Sequence, residues 1–542
     1  MIALHLLYTI PLITMMLHLL RVKLFLAFLG LIPLAMAQQI VVGPYLQDAT
    51  PTSIQVMWET TEGGDCLVRW GMSKSLTEET RRVFSQVNER PSQIHRAPLE
   101  DLSAATTYFY QVQTGEVVSD IYHFTTPPQP DDEVTFKLLA LSDMQRDDER
   151  PSQFREIIEA GVLPYLGQDN ESEDLSRVLG AVIVPGDLTK DGLVYTDWTN
   201  DFFGQSEKLL PYVPVYPVLG NHERNSDYYF NYFHLPDNGT PGYKEHWYYK
   251  DHGNVRIIGL NSNDNYRIQA QLDWLEEVLT EAAQKDDLDF VFAQLHHPHK
   301  SELWIDGERD YTGEVISLLE KFSTRTGKPT IHFYGHTHGY SRGQSRDHKH
   351  LWVNVATAGG RIDGWGEYAQ TNYKEFSKSH SDYGFVLIEI SGGDDPKFEL
   401  VRVSRGDVDN PKDNEVTDLI SVKRYHDAGP GTPECLEPIQ ERQVKDQEVL
   451  LKASEFKSKD GSQHGATQWQ VARTSNFANP DMDIWDHHED WYGGKDLNEG
   501  IDLTRKQLAN LRAGTIYFWR VRYRTKGLVW SEWSETQKFE TR

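Results

Sequence analysis

Ile331-His332-Phe333-Tyr334-Gly335-His336-Thr337-His338 is an apolar run that meets two histidines across a glycine. A run of this kind reads as a buried strand that ends in a loop, and loops at strand ends are where side chains converge on a ligand. The same grammar recurs upstream. Ser142-Asp143-Met144-Gln145 follows the apolar stretch Phe136 to Leu141, Gly186-Asp187 follows Ala181 to Val184, and His296-His297-Pro298 follows Phe290 to Ala293. Gly220-Asn221-His222-Glu223 lies between them. These strand ends offer carboxylates, imidazoles and amides but no thiolate, a donor set that suits manganese, iron or zinc. Gly186 lets the backbone turn away at the strand end, leaving the Asp187 carboxylate facing the site.

A chain of 542 residues is too long for one core. At ~150 residues per domain it implies roughly three domains. The formal net charge of -27 leaves no basic stripe to displace counterions, which excludes nucleic acid as a binding partner. Near the N-terminus Arg21 and Lys23 precede the apolar run Leu24 to Leu34, which ends in Ala35-Met36-Ala37. A basic region, an apolar region and a small-x-small site predict a signal peptide over 1–37, cut after Ala37. The mature chain is then secreted, periplasmic or at the cell surface, with no stable transmembrane span. The alternative is a retained N-terminal anchor. Cys66 and Cys435 are the only cysteines, so there is no disulfide framework and a single bridge is the most that could form.

Three stretches differ in pattern. Over 38–128, short alternating runs such as Ser53 to Trp58, Cys66 to Trp70 and Tyr108 to Val112 predict a fibronectin type III-like β-sandwich. Pro127-Pro128-Gln129-Pro130 then reads as a linker. Over 132–405, apolar strands alternate with helical periodicity, as in Gln269 to Ala283, which predicts an α/β layered domain. The polar, acidic segment Arg405 to Leu419 reads as a second linker, and 419–542 as a second fibronectin type III-like sandwich. In that last unit Arg520, Arg522 and Arg524 share one strand face. Trp530 and Trp533 are placed to stack between them. The other reading of its tryptophans, Trp485 and Trp491 included, is glycan contact.

Hydrolysis of a phosphate ester needs a nucleophile delivered to an anion, neutralised oxygens and a protonated leaving group. Two ions about 3.5–4 Å apart supply the first two, and Asp187 is the candidate carboxylate to bridge them. The ordered motifs resemble the calcineurin-like metallophosphoesterase superfamily and are similar to its purple acid phosphatase branch. That resemblance implies a four-layer α/β sandwich. Gly43-Pro44-Tyr45-Leu46-Gln47 ahead of Thr50-Pro51-Thr52-Ser53-Ile54 likewise resembles the β-sandwich that precedes such catalytic domains. Position by position, the resemblance implies that Asp143, Asp187 and His338 bind one metal and Asp187, Asn221, His296 and His336 the other. His222 would protonate the leaving group or orient the phosphate.

Two positions depart from the family. Gln145 stands where a histidine is usual and would coordinate through its amide oxygen. Lys190 replaces the tyrosine whose charge transfer to ferric iron gives the family its colour, so the expectation is a colourless enzyme. The implied reaction is attack of a metal-bound hydroxide on a small phosphate monoester. Diester or nucleotide hydrolysis stays open, as does a non-catalytic glycan-binding or adhesion protein on a weakened hydrolase core.

Overall fold

Strands buried on both faces need cover on both sides, which is the condition of a parallel sheet inside layers of helix or further sheet. Leu138 to Ala140 and Ala181 to Val184 are of this kind, all at most 1% exposed. The computed structural model describes residues 38–167, 175–425, 429–439, 442–445 and 449–542, so the expected signal peptide lies outside the described residues. In it Val215–Pro217, Leu179–Val184 and Thr135–Ala140 run parallel. Tyr383–Ser391, Lys397–Gly406 and Pro411–Lys423 complete this sheet with antiparallel pairing.

A second, nine-stranded sheet faces it. Its centre is the parallel series Val255–Gly259, Phe290–Gln294, Thr330–Tyr334 and His350–Val355. Phe292 meets Phe398 across the interface with ring centroids 5.4 Å apart. With Leu138, Ile183, Val353 and Ile388 they belong to one continuous core. The outer face of the nine-stranded sheet is covered by the helices Gln269–Gln284 and Asp310–Thr326, whose Leu275, Val278, Val315 and Leu319 pack on Val291 and Ala293. The first matches the expected helix within one residue. The second stops where Gly327 takes a left-handed φ of 68°. Phe154, Ile157 and Val162 cover the other sheet, which completes four layers.

The N-terminal stretch folds into two facing sheets around Trp58, Val68, Tyr110 and Phe124. It is docked on the layered domain by tyrosines. Tyr45 Oη donates to the Tyr232 carbonyl and Tyr110 Oη to that of Pro211, each at 2.7 Å, and Tyr232 Oη donates to Glu59 at 2.8 Å.

The C-terminal stretch also forms two sheets, around Leu451, Trp469, Trp519 and Val521. Arg520 lies over Trp533 at 4.2 Å and Arg522 over Trp530 at 4.2 Å, so the expected ladder of cations and rings is present. Trp491 is likewise engaged, with Lys378 4.9 Å from its ring. Both cysteines are free. Among the described residues no helix is long and apolar enough to cross a membrane.

One boundary is corrected. The segment expected as a linker contributes Pro411–Lys423, a 13-residue edge strand paired along Lys397–Gly406. Its outward face is solvated, which is why it reads as acidic and polar, and the C-terminal unit begins after it. Nor does that unit hang free. Trp491–Tyr492 pairs with Phe376–His380, extending the nine-stranded sheet. The seam between them contains a buried ion network. Arg342, 3% exposed, donates to Asp418 through Nε (2.6 Å) and Nη2 (3.1 Å), and to Glu489 at 2.9 Å. Removing one partner of such a pair strands the others without compensation. Arg342→Ala is therefore expected to cost about 3–5 kcal/mol, read as an earlier unfolding transition in urea followed by intrinsic fluorescence.

Candidate metal centre

Parallel strands present their following loops at one end, and ligand sites form there. Here both sheets deliver loops to the same place. Asp143 follows Thr135–Ala140, Asp187 follows Leu179–Val184, Asn221 follows Val215–Pro217, His296 follows Phe290–Gln294, and His336 and His338 follow Thr330–Tyr334. The first two loops are laced together, Met144 N donating to the Asp187 carbonyl at 2.9 Å. Three of these residues, Asp143, Asp187 and His336, have left-handed φ angles of 60°, 53° and 71°. Side chains other than glycine pay for this conformation with strain of about 1–3 kcal/mol each.

The structure brings together all seven expected ligands. On one side His338 Nε2 lies 3.2 Å from Asp143 Oδ1, and the Gln145 amide lies 3.0 Å from the same nitrogen. On the other, His296 Nε2 lies 3.1 Å from Asp187 Oδ2 and 2.9 Å from Asn221 Oδ1. Asp187, His296 and His336 each offer a ligand atom within 4.8 Å of the others. Ring orientation is set from behind. His296 Nδ1 donates to the Pro185 carbonyl (2.9 Å) and His338 Nδ1 to that of Arg361 (2.7 Å), which turns both Nε2 atoms inward.

Two buried ligand atoms, His336 Nε2 and Gln145 Oε1, have no hydrogen-bond partner. A buried acceptor without a partner is costly. Cations coordinated by these atoms, one in each group of ligands, would remove that cost, so the donor set fits metal ions.

Space at the centre is set by glycines. A Cβ on Gly220 would stand 2.1 Å from Asp187 Oδ1, and one on Gly335 2.3 Å from Asp143 Oδ2. His222, beside Asn221, donates from Nδ1 to the Lys190 carbonyl at 2.6 Å. Its Nε2 lies 3.9 Å from Asp187 Oδ2, and the side chain is 36% exposed, so the ring sits at the mouth of the site.

Several supporting residues carry no signal of their role in the sequence. Glu223 is fully buried and accepts from the amides of Asp187 (3.0 Å), Leu188 (2.7 Å) and Gly220 (2.6 Å). Asn263 Nδ2 donates to the Gly220 carbonyl at 3.0 Å and Asn354 Nδ2 to that of Thr337 at 2.7 Å. Asp363 accepts from His338 N at 2.7 Å, and burial raises its carboxyl to about 6. An acid or amide beside a glycine turn was the only available hint. His297 is bonded to Ser262 at 2.9 Å, and burial holds its ring far below the usual imidazole range. It is a neutral neighbour of the site, outside the ligand set.

Burial would lower the pKa of His296 and His338, but the carboxylates of Asp187 and Asp143 lift each to about 9 when no metal competes. A histidine whose folded pKa exceeds its unfolded one stabilises the fold fully below the unfolded value of about 6.5. That contribution is lost as pH rises through about 9. Chelator-stripped protein should therefore melt at progressively lower temperature between pH 6.5 and 9.5. Reloading with metal should flatten this dependence, as scanning calorimetry would show.

Residues 136–340 match the family Calcineurin-like phosphoesterase, and residues 41–126 match Purple acid Phosphatase, N-terminal domain. A purple acid phosphatase of Glycine max is 22% identical over 324 residues, 55% of this chain and 64% of its own length. The Fe(3+)-Zn(2+) purple acid phosphatase 12 of Arabidopsis thaliana is 23% identical over 50% of this chain and 57% of its own. The chain thus spans about three-fifths of the length of these curated relatives. Among solved structures, the yellow lupin (Lupinus luteus) purple acid phosphatase PPD1 is similar in fold, with a TM-score of 0.56 at 18% identity over 70% of this chain and 73% of that one. Residues 136–340 are thus a calcineurin-like phosphoesterase domain, and residues 41–126 a purple acid phosphatase N-terminal domain.

Proposed function

We propose that the chain is a dinuclear metal-dependent phosphoesterase acting on phosphate monoesters. The observation that carries the reading is the position of Asp187, whose Oδ2 faces His296 at 3.1 Å while its backbone is tied to the Asp143 loop. One carboxylate would thereby stand between two groups of candidate ligands, Asp143, Gln145 and His338 on one side and Asn221, His296 and His336 on the other. Two bound ions would make a water nucleophilic at neutral pH and screen charge on the phosphoryl oxygens. The oxygen and imidazole donors suit manganese, iron or zinc, and the Arabidopsis relative is named for iron and zinc. Lys190 reaches Asp148 at 3.0 Å and offers no phenolate, in keeping with a colourless protein.

His222 is the group for the leaving oxygen. Its Nδ1 donates to the Lys190 carbonyl, which leaves Nε2 as the free nitrogen at the mouth of the site, and Nε2 would deliver a proton to the leaving oxygen from the doubly protonated ring. Monoesters of ordinary alcohols are the substrates that most need this proton. Export from the cell rests on the leader-like residues 1–37. The glycan-binding alternative has less support, because Trp530 and Trp533 are covered by arginines and Trp491 by Lys378.

Asn221→Ala is expected to abolish turnover. His222→Ala should lower kcat about 100-fold on an alkyl phosphate. The loss should be much smaller on p-nitrophenyl phosphate, whose leaving group needs no proton. Steady-state kinetics on both esters, with bis-p-nitrophenyl phosphate as the diester control, test the reading. Undiminished turnover in Asn221→Ala would overturn it, and a preference for the diester would reassign the substrate.

A further inference from the structure

A row of rings leads from the metal centre to solvent. The Trp304 ring lies 5.1 Å from the imidazole of His336, tilted by 34°, and Tyr368 lies 5.4 Å beyond Trp304, tilted by 37°. Trp304 is half-buried and Tyr368 is 38% exposed, so the outer ring contributes little to any core. The two rings come from separate loops that are pinned together. Ile305 N donates to the Ala369 carbonyl and Gln370 Nε2 to that of Leu303, each at 3.0 Å.

The loop that carries Tyr368 is held at both ends. On the metal side it supplies the Arg361 carbonyl and the Asp363 carboxylate to His338. On the other side the C-terminal unit braces it: Trp365 packs against Tyr492 with centroids 5.0 Å apart, and Asn372 Nδ2 donates to Asp490 at 3.0 Å. The rings are therefore fixed relative to the ligands before any substrate arrives. A pre-ordered surface loses little entropy on binding.

We propose that Trp304 and Tyr368 form a stacking platform for a planar ring in the leaving group. The preferred substrates are then phosphate esters of aromatic or nucleoside alcohols, an inference that rests on the phosphoesterase reading above. Phosphate bound at the metals places the remainder of the ester along this wall, where a flat π-face meets Tyr368 and an alkyl chain finds no match.

The test compares adenosine 5′-monophosphate with ribose 5-phosphate, which present the same primary phosphate ester and differ in the base. Wild-type protein should prefer the nucleotide in kcat/KM. Loss of a base-stacking ring costs roughly 5- to 150-fold. Tyr368→Ala should accordingly shrink the nucleotide-to-sugar ratio about tenfold, and Tyr368→Phe, which keeps the face, should preserve it. An unchanged ratio in Tyr368→Ala, or no preference in the wild type, would overturn the platform. If neither ester is hydrolysed, the hydrolase reading fails and calorimetric titration with the same two compounds decides the platform alone. Tighter nucleotide binding that disappears in Tyr368→Ala upholds it, and equal binding of the two overturns it.

Discussion

The candidate metal centre depends on one buried carboxylate that lies outside the proposed ligand set. Glu223 accepts hydrogen bonds from Asp187 N, Leu188 N and Gly220 N, which joins the turn after one strand to the turn after the next. Burial and the charge of Asp187 push its pKa up to about 7, while the three amides favour the charged form. Without it three buried amides would be left unpaired, at about 1–3 kcal/mol each. With it, Asp187 and Asn221 are presented at fixed spacing, and the left-handed turn at Asp187 is tolerated.

The rest of the molecule follows from the need to hold strained loops steady. Parallel strands point their carboxyl ends at one place, and the two sheets share a single apolar core, so the ligands of each sheet cannot drift apart. The N-terminal sandwich braces the loops that follow Asn221 through Tyr45, Glu59 and Tyr232. The C-terminal unit braces the opposite rim through Arg342, Glu489 and Tyr492. The β-units at either end of the chain thus act as walls for the central domain.

Much of this was legible because it is local. Apolar runs of four to six residues marked the central strands, and the spacing of Leu272, Leu275, Val278 and Leu279 marked the helix Gln269–Gln284 within one residue. Alternation placed Arg520, Arg522 and Arg524 on one face, where Trp530 and Trp533 meet them. All seven candidate ligands came from motifs at strand ends. What stayed hidden depends on distant pairing. Pro411–Lys423 is polar on its free side and becomes a strand only because Lys397–Gly406 lies beside it. Trp491–Tyr492 is two residues long and joins a sheet more than a hundred residues upstream. Glu223 was visible in its motif, but an acid that clamps three backbone amides looks the same in sequence as one that faces water.

On the proposed reading, five loops assemble a site for two metal ions around Asp187, with Gln145 retained as a working donor. The most direct measurement is elemental analysis of the purified chain, with p-nitrophenyl phosphate turnover before and after chelation. Two equivalents of transition metal and activity that disappears with the chelator and returns with manganese, iron or zinc are the predicted result. One equivalent or none, with no turnover after metal is restored, would contradict it and mark Gln145 as the broken position.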